Sequence, residues 1–348
     1  STAVILFTSG SESNPKGVPL SHKNILATIR NCYHNLEGVY VPNDVMYGIL
    51  PQFHSFGFSN ATFTPLFCGM RVAFYPNPTD SLAVAEGIQR WQVTFLPIVP
   101  YFLKKLLDVS SADQFKTVRF IITAGEKTPP ELFERVNYLH PGAMLLEGYG
   151  LSETAPVLAM MQPGKEVKGV GQLFEDVEAI TVHPETHQLI PEGSAGEVCV
   201  RGPNVFQGYI GNAPSPFIEI GGKSWFRTGD LGYVDKDRTL ILTGRLKRFV
   251  EMGGEMISLG AIEGALIAEC LKRKLILEDV PSLAICAEDS ENPKLILFST
   301  FPLDMEFANE LLKSLGFSRL IKISKTQQVE EIPLMSTGKT NYRRLGTV

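Results

Sequence analysis

Short apolar runs alternate with helical patterns over the first half of the chain. The strand-like runs are Val4–Phe7, Met46–Leu50, Val72–Tyr75, Thr94–Leu96, Phe120–Thr123 and Met144–Glu147. Apolar residues recur at helical spacing in Ser81–Trp91 and Tyr101–Asp108, and Ser21 is a predicted N-cap for a helix that follows it. Strands that alternate with helices favour an α/β fold with a largely parallel sheet.

The pattern changes after about Gly169, where short strands lie between turn residues. These strands are Gly171–Leu173, Glu178–His183, Gly196–Arg201 and Thr239–Leu242. Helix and strand patterns mix again in Leu259–Leu271, Ser282–Ala287, Leu295–Thr300 and Met305–Leu315. We therefore predict a large domain over 1–246, with a β-rich subdomain at about 169–246, and a small α+β domain over 247–348.

The composition narrows the class of protein. The 348 residues are 44% hydrophobic and 20% charged, with a net charge of -5, so no bulk positive charge favours nucleic acid. The five cysteines include no CxxC pair, which argues against a disulfide framework or a zinc site and fits a reducing cytoplasm. No apolar run approaches the ~20 residues of a membrane span. The chain opens directly in a predicted buried strand, Ser1–Phe7, so we expect a fragment of a longer protein.

A polar loop from Thr8 to Gly17 follows the first predicted strand and precedes the first predicted helix. Hydroxyls and backbone N–H groups of such a loop can surround phosphate oxygens, and Lys16 adds a point charge. The loop lacks the ending of a Walker A motif. Taken alone, it is explained equally well as a polar surface turn.

Four further motifs follow in order: Glu147–Thr154, Trp225–Asp230, Leu242–Arg245 and Pro333–Lys339. Together with the loop, they resemble the adenylate-forming superfamily of acyl-CoA synthetases, luciferases and peptide-synthetase adenylation domains, over the whole chain. The resemblance implies that superfamily's fold, a large α/β domain with a β-rich subdomain and a small, mobile C-terminal α+β domain. It also implies that the N-terminal part of the large domain, which precedes the phosphate loop in the superfamily, is missing here.

Several stretches resemble a narrower branch, the acyl-[acyl-carrier-protein] synthetase part of the bifunctional 2-acylglycerophosphoethanolamine acyltransferases. They are Leu6–Glu12, Pro51–Gly57, Leu146–Gly150, Gly244–Phe249 and Gly254–Leu259. General acyl-CoA synthetases usually carry Thr-Gly where this chain has Glu12-Ser13. This pair favours the carrier-protein branch.

The resemblance implies nucleotide-binding roles for individual residues. ATP phosphates would be held by Thr8, Ser9, Gly10, Ser11 and Lys16. The adenine slot would be lined by Ala124, Gly125, Glu126, Gly148, Tyr149 and Gly150, with the ring stacked on Tyr149. The ribose side would be formed by Asp230, Leu242 and Arg245.

The resemblance also implies catalytic roles. Ser152 would bind the α-phosphate and Glu153 would bind Mg²⁺. His54 would be an aromatic gate beside an acyl tunnel. Lys339 would bridge the acyl carboxylate and the α-phosphate, and Lys247 would be the hinge that moves it away and presents Met252–Met256 to a phosphopantetheine arm. A carboxylate and a triphosphate must meet in this reaction, which independently calls for cations and oriented donors.

We therefore expect ATP- and Mg²⁺-dependent activation of a long-chain fatty acid to an acyl-adenylate, followed by transfer to the thiol of acyl carrier protein. Three alternatives stay open: a fatty acyl-CoA synthetase, a peptide-synthetase-type adenylation domain, and a truncated nucleotide-binding fragment without turnover. The peptide-synthetase reading lacks a convincing acidic anchor for an amino group. The resemblance and the lipid substrate also imply peripheral association with the inner face of the cytoplasmic membrane.

Overall fold

The computed structural model describes residues 1–8, 16–166, 168–252, 255–276, 281–288, 293–318, 321–335 and 339–345. The chain contacts define two units, one of Ser1–Thr228 with Gly232–Leu242 and one of Gly229–Leu231 with Thr243–Val348. The domain limits at 246 and 247 stay a prediction, because units defined by contacts need not coincide with domains that fold independently.

The chain begins with an antiparallel hairpin of β1 (Thr2–Thr8) and β2 (Lys16–Ser21), and α1 (His22–Asn35) follows directly. The predicted N-cap is confirmed, because Ser21 Oγ accepts a hydrogen bond from the Asn24 N–H at 3.2 Å, within a reciprocal capping box. Two predictions are wrong. The polar loop leads into β2 rather than into a helix, and β1 is largely exposed, with Leu6 as its buried residue, because its partner in the sheet is β2 alone.

A seven-stranded sheet forms the centre of the first unit. Its strands are β3 (Val45–Gly48), β4 (Arg71–Phe74), β5 (Phe95–Ile98), β6 (Phe120–Ala124), β7 (Met144–Gly150), β8 (Val157–Met160) and β9 (Gln172–Leu173). Their order is β4-β3-β5-β6-β7-β8-β9. The first five are mutually parallel, as predicted, and β8 and β9 are antiparallel additions at one edge.

Helices cover both faces of this sheet. They are, besides α1, the π-helix Phe56–Phe63, α2 (Thr64–Phe67), α3 (Ser81–Trp91), α4 (Pro100–Val109) and α5 (Pro130–Leu139). Successive strand residues enter opposite cores, since Phe95 packs in the cluster with α1 and Leu96 in the cluster with α3, α4 and α5. The central strands are therefore apolar on both faces, which explains why they are continuous hydrophobic runs in the sequence.

A second sheet follows along the chain. It contains β10 (Glu178–Val182), β11 (Gly196–Arg201), β12 (Phe217–Ile220), β13 (Lys223–Val234) and β14 (Leu240–Arg245). The order is β10-β11-β13-β12, and β14 pairs with β13. The β-rich region therefore starts at Glu178, whereas the strand predicted at Gly171–Leu173 belongs to the seven-stranded sheet as β9.

The second unit is a small α+β arrangement. Its elements are β15 (Phe249–Met252), β16 (Glu255–Ser258), α6 (Leu259–Lys272), β17 (Leu283–Ala287), β18 (Leu295–Ser299), α7 (Met305–Ser314), β19 (Ile323–Gln328) and α8 (Tyr342–Leu345). β18 pairs antiparallel with β17 and parallel with β19. Leu266 and Leu311 join the two long helices to this sheet in one buried cluster. Over the described ranges of both units, no helix has the length and apolarity to cross a bilayer.

Candidate active site

The carboxyl ends of β6 and β7 bring two predicted adenine-binding segments together. The parallel register places Thr123 beside Glu147 and Ala124 beside Gly148. Gly125 follows β6 with a φ of 93°, a left-handed conformation that favours glycine. Ligands in open α/β sheets bind outside the carboxyl ends of the strands, so we expect the binding crevice at the carboxyl ends of β6 and β7.

Gly148 and Gly150, near the end of β7, differ in how closely neighbouring atoms approach them. A Cβ at Gly150 would lie well under 3.0 Å from the Pro156 carbonyl oxygen, so the backbone approach from β8 requires glycine there. A Cβ at Gly148 would meet its nearest protein atoms, in Ala159 and Met160, only at 3.7 Å. The packing of β6 and β8 around Gly148 therefore admits a methyl group and does not by itself require glycine there.

We expect Gly150→Ala to lower the free energy of unfolding by about 2 kcal/mol, since the backbone must shift to admit the methyl group. Gly148→Ala is the matched control, with an expected change within about 0.5 kcal/mol. Urea denaturation measures both. Equal destabilisation of the two variants would contradict the different roles assigned to these glycines.

A single 3₁₀ turn, Ser152–Thr154, follows β7 and carries two predicted catalytic side chains. Thr154 Oγ1 accepts from the Leu151 N–H at 3.1 Å, which ties the turn to its own start. Ser152 Oγ lies 3.3 Å from Ser55 Oγ at the entry to the π-helix. The structure thereby joins the predicted α-phosphate residue to the segment that carries His54.

His54 stands immediately before this contact. Its N–H donates to the Pro51 carbonyl at 3.1 Å, and its ring centroid is 4.6 Å from that of Phe53, which is largely exposed. Ser55 was missed by sequence reasoning, because a serine beside a histidine has no distinctive pattern. The gate role of His54 stays a prediction.

The Glu153 carboxylate is buried and bonded by a tyrosine. Tyr209 Oη donates to Glu153 Oε1 at 2.7 Å, and Glu153 is only 8% exposed. Burial first, and then the charge of Glu153, raise the pKa of the Tyr209 phenol well above its usual range. The phenol therefore stays protonated and acts as a donor. Tyr209 was also missed by sequence reasoning.

Glu153 fits the Mg²⁺ role that the resemblance implies. Mg²⁺ in nucleotide sites is commonly held by one or two carboxylates together with substrate phosphates. Within the described ranges, no group of three or more His, Cys, Asp or Glu side chains could hold a metal by itself. The single Glu153 carboxylate, with one oxygen bonded by Tyr209, fits a site in which substrate phosphates supply the other ligands of Mg²⁺.

The predicted phosphate loop is described only at its two ends. Thr8 ends β1 and Lys16 begins β2, directly opposite each other in the hairpin register. Lys16 Nζ lies 4.7 Å from the Tyr209 ring centroid, a cation–π contact. Ser9, Gly10, Ser11, Glu12 and Ser13 lie outside the described residues. The phosphate-binding roles of this loop stay a prediction.

In the second unit, Asp230 and Arg245 come together. Arg245 Nε is 3.2 Å from Asp230 Oδ1, and the carboxylate side chain is 5% exposed against 57% for the arginine. Leu242 lies on β14, ahead of Arg245. The two side chains predicted to bind the ribose are therefore neighbours. Their contacts with a ribose stay a prediction.

Lys339 lies at the end of a short connection in the second unit. Its carbonyl accepts from the Met335 N–H at 2.8 Å, and Leu334 and Thr340 form a β-bridge beside it. The intervening Ser336–Gly338 lies outside the described residues. The predicted hinge Lys247 lies in a 3₁₀ turn, Leu246–Arg248, directly after β14.

Arg248, Glu263 and Tyr342 form a compact cluster in the same unit. Arg248 Nη2 donates to Glu263 Oε2 at 3.0 Å, and Tyr342 Oη donates to Oε1 at 2.7 Å. The Arg248 guanidinium lies 3.8 Å from the Tyr342 ring centroid. Burial first, and then the charge of Glu263, raise the pKa of Tyr342 above its usual range. Arg248, which follows the predicted hinge, and Tyr342, in the helix after Lys339, therefore bond the same carboxylate, that of Glu263.

Glu147, the first residue of the second motif, is buried at the same sheet edge as Tyr149. Glu147 Oε1 accepts from the Thr128 N–H at 2.8 Å. Burial raises the pKa of Glu147 from 4.5 to about 7, against opposing effects of the Thr128 hydrogen bonds and the Lys127 charge. The folded protein therefore keeps this proton at a pH where the unfolded chain has lost it.

This difference predicts a pH dependence of stability. Because the folded-state pKa of Glu147 is raised, its contribution to the free energy of unfolding is fully present below about pH 4.5 and is lost as the pH rises through about 7. Glu147→Gln, which does not ionise, should gain stability relative to wild type as the pH rises across that window. Urea denaturation over a pH series measures the gain. A wild-type-to-variant difference that does not change with pH would contradict it.

With this geometry established, comparisons with known proteins define the class. Residues 1–210 match the family model described as AMP-binding enzyme. The chain belongs to this family of adenylate-forming enzymes, and the prediction of the superfamily is confirmed. No narrower group is established by this match.

Curated relatives are CoA ligases. The chain is 27% identical over 348 residues to 4-coumarate–CoA ligase 1 of Arabidopsis thaliana, covering 96% of this chain and 60% of the relative. It is 30% identical over 277 residues to 4-coumarate–CoA ligase 2 of Nicotiana tabacum, covering 75% of this chain and 50% of the relative. The chain thus spans little more than half the length of these relatives.

Solved structures share the fold. ATP-bound MatB from Rhodopseudomonas palustris superposes with a TM-score of 0.84 at 25% identity, covering 99% of this chain and 67% of that one. O-succinylbenzoate coenzyme A synthetase (MenE) from Bacillus subtilis, in complex with ATP and magnesium ion, gives 0.82 at 23%, covering 99% and 70%. The predicted α/β adenylate-forming fold is confirmed.

Proposed function

We propose that the protein is an AMP-forming acid–thiol ligase, which uses ATP and Mg²⁺ to activate a carboxylic acid. The observation that carries this proposal is the convergence, at the carboxyl ends of β6 and β7, of the segment after β6 with the turn of Ser152 and Glu153. Membership of the AMP-binding family and the CoA ligases among the relatives support it.

In the first step, a carboxylate oxygen of the acid attacks the α-phosphorus of ATP, and pyrophosphate leaves with the electron pair of the broken P–O bond. Ser152 would donate to the α-phosphate, Glu153 would hold Mg²⁺, and Lys16 at the hairpin would pair with the outer phosphates. The resemblance implies that Tyr149 and Glu126 with their neighbouring glycines would take the adenine, and that Asp230 and Arg245 would take the ribose. Bound Mg²⁺ supplies charge neutralisation on the phosphates.

In the second step, a thiol attacks the acyl carbon, the C–O bond to AMP breaks, and the thiol proton is released. The resemblance implies that Lys339 would serve the first step, as a mobile cation between the carboxylate and the α-phosphate. The resemblance implies that a turn at Lys247 would exchange Lys339 for Met252–Met256, of which residues 253–254 lie outside the described residues. A hinge of one or two residues suits such an exchange.

The acceptor thiol is that of coenzyme A in our proposal. The curated relatives are named as CoA ligases, which favours coenzyme A over the carrier protein expected from the narrower resemblance. The pair Glu12-Ser13 supports acyl carrier protein as the second candidate. The two acceptors share a phosphopantetheine arm and differ in what carries it.

ATP–pyrophosphate exchange with a panel of acids tests the first step. The panel contains saturated fatty acids of increasing length, 4-coumarate and o-succinylbenzoate. We expect exchange that depends on both an acid and Mg²⁺. Exchange that ignores the acid would overturn the ligase proposal, and ATP binding without exchange would favour a nucleotide-binding fragment without turnover.

Thioester formation tests the second step with the acid that supports exchange. Parallel reactions contain coenzyme A, holo-acyl carrier protein, or apo-acyl carrier protein as the thiol-free control. We expect product with coenzyme A. Product with the holo-carrier protein and none with coenzyme A would make the carrier protein the acceptor. The proposed first step would be unchanged.

We also propose a cytoplasmic location with peripheral association at the inner face of the cytoplasmic membrane. The lipid substrate that the narrower resemblance implies is its support. Co-sedimentation with vesicles of anionic phospholipid, against vesicles of phosphatidylcholine alone, measures this association. Recovery of all protein in the supernatant of both would contradict it.

A further inference from the structure

A loop after β11, residues 202–210, is bound to both halves of the proposed phosphate site; we refer to it as the strap. On one side, the Phe206 N–H donates to the Glu153 carbonyl at 2.8 Å, and Asn204 Nδ2 donates to the Thr154 carbonyl at 3.0 Å. On the other side, the Ile210 N–H donates to the Gly17 carbonyl at 3.0 Å. The strap therefore spans from the catalytic turn to the hairpin that carries Lys16.

A buried amide from α1 holds the strap in place. Asn24 Nδ2 donates to the carbonyls of Pro203 and Val205, at 2.9 and 2.7 Å. Asn24 is also the N3 residue of the capping box, so its orientation is set by the start of the helix. The strap is consequently fixed by the same helix that follows β2.

Tyr209 is the side chain through which the strap reaches both charges. Its hydroxyl donates to Glu153 Oε1 at 2.7 Å, and its ring lies below Lys16 Nζ at 4.7 Å from the centroid. The ring plane is held by Phe206, edge-on at 5.0 Å between centroids. One aromatic residue thus contacts the carboxylate and the lysine, which have opposite charges.

A neutral donor has a specific advantage at this position. A lysine or arginine paired with Glu153 would neutralise the carboxylate and compete with a bound cation. A phenol fixes the direction of the carboxylate by one strong hydrogen bond to a charged group and leaves its charge in place. The described hydrogen bond engages Oε1, so Oε2 keeps its acceptor capacity.

We propose that Tyr209 is a positioning residue, which orients the Glu153 carboxylate for Mg²⁺ through its hydroxyl and holds Lys16 for the phosphates through its ring. The metal and nucleotide named here rest on the proposed function. The hydroxyl and the ring act on different partners, and two substitutions separate them. Tyr209→Phe removes the hydroxyl and keeps the ring, whereas Tyr209→Leu removes both.

Binding of a non-hydrolysable ATP analogue, measured by calorimetry over a Mg²⁺ titration, is the experiment. For Tyr209→Phe we expect roughly tenfold more Mg²⁺ at half-saturation, the loss typical of a hydrogen bond to a charged group. At saturating Mg²⁺ its nucleotide affinity should match wild type. Tyr209→Leu should in addition bind the analogue several-fold more weakly at saturating Mg²⁺.

A double-mutant cycle identifies the path of the effect. If the hydroxyl acts through Glu153, Tyr209→Phe should change nothing further in a Glu153→Gln background. An equal loss in both backgrounds would overturn the proposal, as would wild-type Mg²⁺ dependence of Tyr209→Phe. Tyr75→Phe is the matched control, because the Tyr75 hydroxyl also faces a carboxylate, that of Asp80, on the exposed surface.

Failure of the proposed function gives a different result. A wild-type protein that binds the analogue equally well without Mg²⁺ would overturn the metal role of Glu153, and with it this inference. A Mg²⁺-dependent wild type with an unaffected Tyr209→Phe overturns the inference alone. Thermal unfolding of every variant shows whether it is folded. Should Tyr209→Leu fail to fold, Lys16→Met in the Tyr209→Phe background reports on the lysine, and unchanged nucleotide affinity there would overturn the role of the ring.

Discussion

Replacing Lys339 by alanine is expected to slow acid-dependent ATP–pyrophosphate exchange by about 100- to 1,000-fold, the range found when one donor to developing transition-state charge is removed. The carboxylate and the α-phosphate repel each other as they approach, and a lysine between them offsets that repulsion. The second step should be affected much less, because the thiol attacks the neutral acyl carbon and no carboxylate anion has to approach the α-phosphate.

Two assays separate these steps for Lys339→Ala. Exchange reports on adenylate formation, and thioester formation from a supplied acyl-adenylate reports on transfer. Lys325→Ala, which removes an exposed lysine of β19 in the same unit, is the matched control and should leave both unchanged. Equal losses of Lys339→Ala in both assays would contradict a role confined to the first step.

Replacing Asp44 by alanine is expected to lower the free energy of unfolding by about 3 kcal/mol, because it leaves the Arg119 guanidinium without its anion. Arg119 Nη2 lies 2.7 Å from both Asp44 oxygens, and the carboxylate is fully buried. The Val41 N–H donates to the same carboxylate at 2.8 Å. The loss lies at the lower end of the range for buried pairs since Arg119 is 34% exposed.

Urea denaturation of Asp44→Ala measures this loss, with Glu178→Ala as the control. Glu178 pairs with Arg201 and Lys223 on the surface, where ion pairs contribute about 0–1 kcal/mol. In Asp44→Leu combined with Arg119→Met, part of the lost stability should return. A loss below about 1 kcal/mol for Asp44→Ala would show that the pair is not a stability determinant.

Local signals in the sequence were sufficient for many elements. The helix predicted at Ser81–Trp91 has those bounds in the structure, since Asp80 caps it by accepting from the Ala83 N–H at 3.1 Å and its apolar face is buried. The central strands were equally visible, because burial on both faces leaves an unbroken apolar run. In both cases, residues close in sequence determine the element.

Elements stabilised by distant partners were missed. β2 contains Pro19 and pairs across the polar loop with β1, so its sequence resembles a continuation of that loop. The π-helix Phe56–Phe63 has apolar residues without helical or strand periodicity. β9 was predicted as a strand but in the wrong sheet, because the sheet it joins is decided by its pairing with β8.

The candidate site shows the same division. Motif residues such as Ser152, Glu153 and Gly150 could be proposed because each motif is contiguous in sequence. Their partners Ser55 and Tyr209 come from segments 97 and 56 residues away, and a single sequence gives no spacing rule for such pairs. An aromatic residue after a glycine in a polar loop, as at Gly208-Tyr209, is the signal that could have drawn attention to the strap.

The cluster of Arg248, Glu263 and Tyr342 has a mechanical consequence for the second unit. The Glu263 carboxylate bonds Arg248, in the turn after β14, and Tyr342, in the helix that follows Lys339. These two parts of the unit are therefore coupled. A rotation at Leu246–Arg248 would therefore be passed through the Glu263 carboxylate to the helix that follows Lys339. If Lys247 is the hinge, the coupling of its movement to Lys339 depends on one half-buried glutamate.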